Sequence, residues 1–282
     1  MAQFSLAAAQ IGADLGHVGA NVSRVIEAIH HAKEAGAQLV VFPETILSGY
    51  IFDDPEQVRA AARPLDGPEI GKIVRECQSC RVHVVLGVLE NAGGKVYNSA
   101  VLIGPAGIVG IYRKMHLPYL GLDRFVSPGD GAAIPVFETP LGRIGLAICY
   151  DVRFPEFARC LALRGADLIA MPSVWLDRVS IVSDHMVRVR AAENHVYVAA
   201  VSRGDDEAGL DLRGHSQIVD PTGEILAIAD RGDALLLAEI DPERSRRKTI
   251  IVDSGKYEIS LFADRRPAFY RAITEPDPAK RL

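Results

Sequence analysis

Apolar residues recur along this chain in two rhythms. Val22, Val25, Ile26 and Ile29 follow the three-and-four spacing that lines one face of a helix, and this helix is expected to end at Gly36. QLVVF, which follows, is a short β-branched run without polar alternation, the pattern of a strand buried on both faces; Pro43 and Glu44 terminate it. A second helix, about Glu69 to Arg81, leads into the strand VHVVLGVL. The runs KVYNSAVLIG and GIVGIYRK, joined by the turn GPAG, then predict a meander. From His116 to Gly131 no period is visible, and the Gly- and Pro-bearing stretch is long enough for a functional loop.

The second half repeats the scheme with strand RIGLAICY, helix FPEFARCLALRG, strand ADLIAMP, helix SDHMVRVRAAEN and strand HVYVAAVS. HSQIVD, a Pro-Thr-Gly turn, EILAIA and ALLLAEI follow. Helices among strands, with hairpins as well, predict an α/β protein whose mixed sheets are arranged in layers. No low-complexity linker interrupts the chain, so residues 1–282 are expected to form a single domain. Its charged and aromatic tail, about 256–282, is expected to pack on the body or on another subunit.

Composition narrows the possibilities. A hydrophobic fraction of 49% in 282 residues is ample for a sizeable core, and a formal net charge of -5 offers no basic field for nucleic acid. MAQFSLAAAQ has no basic leader and reads as a strand, and no apolar run approaches the ~18 residues of a membrane span. A cytoplasmic protein with no membrane or nucleic-acid partner is expected. The four cysteines, Cys77, Cys80, Cys149 and Cys160, are too few for a disulfide framework. Cys77 and Cys80 form a C-x-x-C, but they close a helix and lack a second pair to complete tetrahedral ligation, so structural thiols are expected. His30 and His31 face different directions on one helix, and no metal site or cofactor is expected.

Common catalytic signatures are absent: G-x-S-x-G, H-E-x-x-H and a strand-linked G-x-G-x-x-G do not occur, and GPEIGK is too short for a phosphate loop and lacks its Ser or Thr. What remains is Cys149 in GRIGLAICYDVRFPE, where an apolar strand meets a turn and then a helix beginning near Pro155. Backbone N–H groups at such a junction favour a thiolate and an oxyanion. Glu44 and Lys114 stand at comparable places, just past LVVF and at the end of IVGIYRK. Taken singly, each has an ordinary alternative: a small buried thiol, a loop carboxylate, a solvated lysine.

FPET, YRKMHLP and AICYDVRFPE, in this order, resemble the three signature segments of the nitrilase superfamily of carbon–nitrogen hydrolases. The similarity extends through YNSAVLIGPAG, SPGD, GADLIAMPSVW, RAAENHVYVAAVSR and DRRPAFY, and so covers nearly the whole chain. It implies a four-layer αββα sandwich, a catalytic triad of Glu44, Lys114 and Cys149, no cofactor, and a homodimer or larger assembly. In those roles Cys149 is the nucleophile, Glu44 the base, and Lys114 with the following backbone N–H the oxyanion holder.

Tyr-Asp directly after the cysteine resembles the amidase, ω-amidase and carbamoylase branches, whereas true nitrilases typically carry Trp-Glu there. The resemblance therefore implies hydrolysis of a small non-peptide amide by water through a thioester, releasing ammonia. The alternatives are an N-carbamoyl amino acid or amine hydrolase, a nitrilase, or a catalytically weak binding or scaffold member. Arg153 matches an arginine with which some carbamoylases bind substrate carboxylate, although within RFPE it also suits a structural ion pair. Tyr150 and Trp175, the only tryptophan, are further candidate substrate contacts. One position departs from the family, whose second glutamate stands six residues before the proline of the PGD segment. Leu122 occupies that place, and Asp123 is either its substitute or the partner of Arg124 in a loop ion pair.

Overall fold

In the computed structural model, which describes residues 2–275, FSLAAAQ forms β1 (Phe4–Gln10), buried throughout apart from Ser5. The first half continues with α1 (Val18–Glu34), β2 (Leu39–Val41), α2 (Pro55–Ala61), α3 (Pro68–Cys80), β3 (His83–Ala92), β4 (Lys95–Gly104) and β5 (Gly107–Arg113). The second contributes β6 (Val136–Thr139), β7 (Gly142–Leu146), α4 (Pro155–Leu163), β8 (Leu168–Pro172), α5 (Val187–Asn194) and β9 (Tyr197–Val201). It closes with β10 (Asp206–Glu207), β11 (Leu210–Asp211), β12 (Gln217–Val219), β13 (Ile225–Ile228), β14 (Ala234–Ile240) and α6 (Pro242–Arg246).

The strands form two six-stranded sheets, ordered β14-β1-β2-β3-β4-β5 and β13-β12-β9-β8-β7-β6. Both are mixed: β1, β2 and β3 run parallel and β3, β4 and β5 make the expected antiparallel meander. Likewise β7, β8 and β9 are parallel, flanked by antiparallel β6 and β12. The sheets face each other, β1 against β9 and β2 with β3 against β8, while α1 and α3 cover the first sheet and α4 and α5 the second. This is the αββα sandwich. Alternation along the strands sends Ala7, Val40, Phe42, Val84 and Leu86 toward Val22, Val25 and Ile29 of α1 and Ile70 and Ile73 of α3. Because the opposite strand faces meet the other sheet, both faces are dry, which is why QLVVF carries no polar alternation.

Residues 1–246 and 247–282 are two compact units. In the second, β15 (Thr249–Asp253) and β16 (Tyr257–Ser260) pair antiparallel, and a 3₁₀ segment spans Pro267–Ile273. The tail expected from residue 256 onward therefore begins within a hairpin, too short and too exposed to leave a readable period; residues 276–282 of it lie outside the described residues. Other short elements, α2, β6, β10, β11 and α6, were not legible because they span too few residues to show a period. The stretch SDHMVRVRAAEN starts with a π-helical turn, Val182–Met186, before α5.

One glycine governs the close approach of β3 to the end of β2. A Cβ at Gly87 would stand 2.3 Å from the Pro43 carbonyl oxygen, 2.5 Å from the Thr45 nitrogen and 2.6 Å from the Glu44 Cα. Gly87→Ala is therefore expected to destabilise the protein by about 1–3 kcal/mol, the usual cost of overpacking. Denaturant titration checks this, and an unchanged midpoint would contradict it.

Candidate active site

Three strand ends converge on one point between the sheets. Glu44 follows β2, and its backbone N–H donates to the Ser173 carbonyl beyond β8 at 3.2 Å, tying one sheet to the other. Lys114 follows β5, with its N–H on the Asn98 carbonyl at 2.8 Å and its own carbonyl accepting from Gly129 at 2.9 Å. Cys149 follows β7 and opens a 3₁₀ turn, Cys149–Arg153, that leads into α4. Its φ of 41° is left-handed, as is the 45° of Thr45 beside Glu44, so the chain reverses sharply at both residues.

The side chains form one buried charge cluster. Lys114 Nζ lies 2.7 Å from Glu44 Oε1 and 2.5 Å from Asp123 Oδ2, and none of the three side chains has any exposure. Asn98 Nδ2 donates to Glu44 Oε1 at 2.7 Å and to Asp123 Oδ1 at 2.9 Å, and the Tyr50 hydroxyl donates to Asp123 Oδ2 at 2.8 Å. Asp123 thus does not pair with Arg124, which instead binds Asp53 and the Phe52 carbonyl. Both Asp123 oxygens are occupied, so this carboxylate holds the lysine. Glu44 Oε2, by contrast, is buried without a hydrogen-bond partner among the described residues.

These surroundings set the protonation states. Burial disfavours the Lys114 ammonium, but the two carboxylates outweigh it and its pKa is raised, so it stays charged. Burial pushes the Glu44 carboxyl up, reinforced by Asp123 and opposed by Lys114. Burial also raises Cys149 well above an ordinary thiol, and the Glu44 charge adds to this while Lys114 opposes it. The preference of the turn's N–H groups for a thiolate therefore does not decide the resting species. A dry pocket and a neighbouring anion outweigh the local N–H groups, and Cys149 rests as a thiol whose Sγ donates to the Val174 carbonyl at 3.4 Å.

Beside the thiol opens a cavity of about 140 Å³ whose lining includes Tyr50, Tyr150, Arg153, Val174 and Trp175. Three of the four candidate substrate contacts, Tyr150, Arg153 and Trp175, line it; the fourth, Asp123, does not and is held in the charge cluster instead. Arg153 makes no hydrogen bond or ion pair among the described residues, so the ion pair suggested by RFPE does not form. Trp175 is buried, and its indole Nε1 has no hydrogen-bond partner among the described residues.

Several members were not singled out from the sequence. Asn98 and Tyr50 belong to the cluster, and a polar residue inside the apolar run of β4 was the available signal for Asn98. Asp151 ties the Cys149 turn to the lysine strand: it accepts from the Ile148 N–H at 2.7 Å and the Tyr112 hydroxyl at 2.9 Å and contacts His116 Nδ1 at 2.6 Å. The His116 ring stacks on Phe154 with centroids 3.8 Å apart. Away from the site, His30, Glu76 and Cys80 bring ligand-type atoms within 4.8 Å of one another. Residues 46 positions apart on two helices gave no sequence signal for this. Cys77 and Cys80 are free thiols, and burial pushes Cys77 up to about 12.

The Carbon-nitrogen hydrolase family model matches residues 5–248. The chain is 38% identical over 275 residues to a Pseudomonas protein named (R)-stereoselective amidase, covering 95% of this chain and 93% of that one. It is 37% identical over 252 residues to a Pyrococcus abyssi protein named nitrilase, covering 89% and 92%. Its fold is similar to the crystal structure of an amidase from Nesterenkonia sp., with a TM-score of 0.78, 24% identity and 96% of each chain covered.

The electrostatics predict a titration result. Glu44→Gln removes the negative charge that raises Cys149 and leaves Lys114, which lowers it. Ultraviolet thiolate absorbance, corrected with Cys149→Ala, should thus appear at lower pH in Glu44→Gln than in the unaltered protein. An unmoved or upward-shifted titration would contradict the assignment.

Proposed function

The chain belongs to the carbon–nitrogen hydrolase family, and from that premise we propose that it hydrolyses a small linear amide through a thioester on Cys149, releasing ammonia. The relatives named amidase support an amidase-type enzyme. The observation that carries the mechanism is the division of labour within Glu44. One oxygen is taken by Lys114 and Asn98, and the other is buried, unpartnered, on a carboxylate close enough to raise the thiol.

In this reading Glu44 Oε2 takes the Cys149 proton as sulfur attacks the amide carbon. The oxyanion is held by the Lys114 ammonium and by the Tyr150 backbone N–H, an early N–H of the 3₁₀ turn without a partner inside it. Glu44 returns the proton to the departing nitrogen, ammonia leaves, and the acyl group remains on sulfur. Water then enters, gives a proton to Glu44 and attacks the thioester; the acid departs and the thiol regains its proton. Lys114 transfers no proton, in keeping with a pKa raised by two carboxylates. Asp123 keeps the lysine charged and aimed.

The pocket suggests the substrate's outline. Its walls are apolar apart from Arg153, whose unpaired guanidinium suits an acyl chain ending in a carboxylate. The same arginine favours a second reading, a ureido acid in which a carbamoyl group is the one cleaved. A cytoplasmic site of action fits four free thiols. Self-association through the α4 and α5 face is supported by exposed Leu163 and Val189, and sedimentation equilibrium above the monomer mass checks it.

Ammonia release from primary amides with and without a distal carboxylate, from ureido acids and from nitriles tests the function. Cys149→Ala should abolish turnover, and intact mass should show an acyl adduct on the unaltered protein; full activity without Cys149 would sink the mechanism. Arg153→Ala is expected to raise KM for carboxylate-bearing substrates about tenfold, the loss of one charge-assisted contact, with little change for neutral amides.

A further inference from the structure

A buried ion pair lies next to Tyr50 that the mechanism does not use. Arg203 follows β9 and its side chain has no exposure. The guanidinium binds Asp205 through Nε at 3.0 Å and Nη2 at 2.5 Å, the Ala13 carbonyl at 2.8 Å, and Glu207 of β10 through Nη1. Glu207 is itself almost fully buried. Desolvating such a pair is costly, and one well-attested reason for keeping it is that it orders a segment.

That segment is the turn carrying Tyr50. Glu207 Oε2 accepts the backbone N–H groups of Tyr50 at 2.8 Å and of Ile51 at 2.6 Å. The approach is close: at Gly49, whose φ is +80°, a Cβ would stand 2.5 Å from Glu207 Oε1. From Tyr50 two contacts run to the element bearing Asp123. The Tyr50 carbonyl accepts from the Leu122 N–H at 3.0 Å, and the phenol donates to Asp123 Oδ2, the oxygen that also binds Lys114.

We propose that Glu207, clamped by Arg203, is a positioning residue: it fixes the main chain at Tyr50 and Ile51, so that the phenol holds Asp123 and, through it, the Lys114 ammonium in place. The proposal rests on the hydrolytic reading of Glu44, Lys114 and Cys149. Removing the clamp leaves two buried N–H groups unanswered and frees Tyr50 to shift, while the reacting groups stay chemically intact.

The test compares Glu207→Asp, Tyr50→Phe and the double variant with the unaltered chain. Glu207→Asp keeps the charge on Arg203 but withdraws the acceptor from Tyr50. In the two single variants kcat for the best amide should fall about ten- to a hundredfold, the usual effect of a small misplacement, with KM nearly unchanged. The double variant should be no slower than Tyr50→Phe, since the effect passes through the phenol. Losses that multiply in the double variant, or a loss carried by KM, overturn the proposal. Alkylation of Cys149 by iodoacetamide runs in parallel and needs no turnover. Slowing in both single variants supports the clamp even if no amide in the panel is cleaved, and equal rates across the series overturn it. Should Glu207→Asp fail to fold, Tyr50→Phe alone decides, because unchanged kcat and alkylation there break the proposed path.

Discussion

A lysine ammonium with no solvent exposure must be answered by negative charge, and the arrangement around Lys114 follows from that requirement. Two carboxylates supply it, Glu44 from the end of β2 and Asp123 from the loop after β5. Carboxylate oxygens out of water need further donors, hence the Asn98 amide bridging both groups and the Tyr50 hydroxyl on Asp123. These contacts hold the ends of β2, β4 and β5 together. Of the oxygens on these two carboxylates, the one left without a partner among the described residues is Glu44 Oε2. A site built to satisfy a buried charge thereby leaves one carboxylate oxygen unsatisfied where a proton acceptor is useful.

The same dryness decides the state of the Cys149 thiol. In a water-filled cleft the turn after β7 would favour a thiolate, but burial and the Glu44 charge keep Cys149 protonated. In the proposed reaction, activation is then coupled to substrate: the proton moves to Glu44 only as sulfur attacks. Keeping the thiol neutral at rest also lowers its reactivity toward stray electrophiles, since the thiolate is the nucleophile.

Two supports lie outside the cluster and join elements distant in sequence. Asp151 fastens the Cys149 turn to Tyr112 and His116, which flank Lys114, so that thiol and ammonium share one hydrogen-bonded frame. On the other side the Arg203–Glu207 pair reaches the Tyr50 turn. Both frames use buried carboxylates accepting backbone N–H groups, a geometry that tolerates little displacement.

The chain's own pattern determined the layered α/β class and the positions of Glu44, Lys114 and Cys149 at strand ends. Burial on both faces writes itself as unbroken apolar runs, and a polar residue that ends such a run stands out. Resemblance of three motifs then joined these residues into one site. Asp123 was left between two readings, and Asn98, Tyr50, Asp151 and Glu207 were not singled out; only Asn98, a polar residue inside an apolar run, carried a local signal, and nothing local distinguishes the other three, buried and hydrogen-bonded, from exposed residues. The proton on Cys149 was not legible for a related reason: the sequence shows the local backbone geometry that favours a thiolate, whereas the burial and the neighbouring anion that outweigh it come from segments far away in the chain. Only the tertiary structure decided which charges meet out of water, and that meeting determines both the partners of Lys114 and the proton on the thiol.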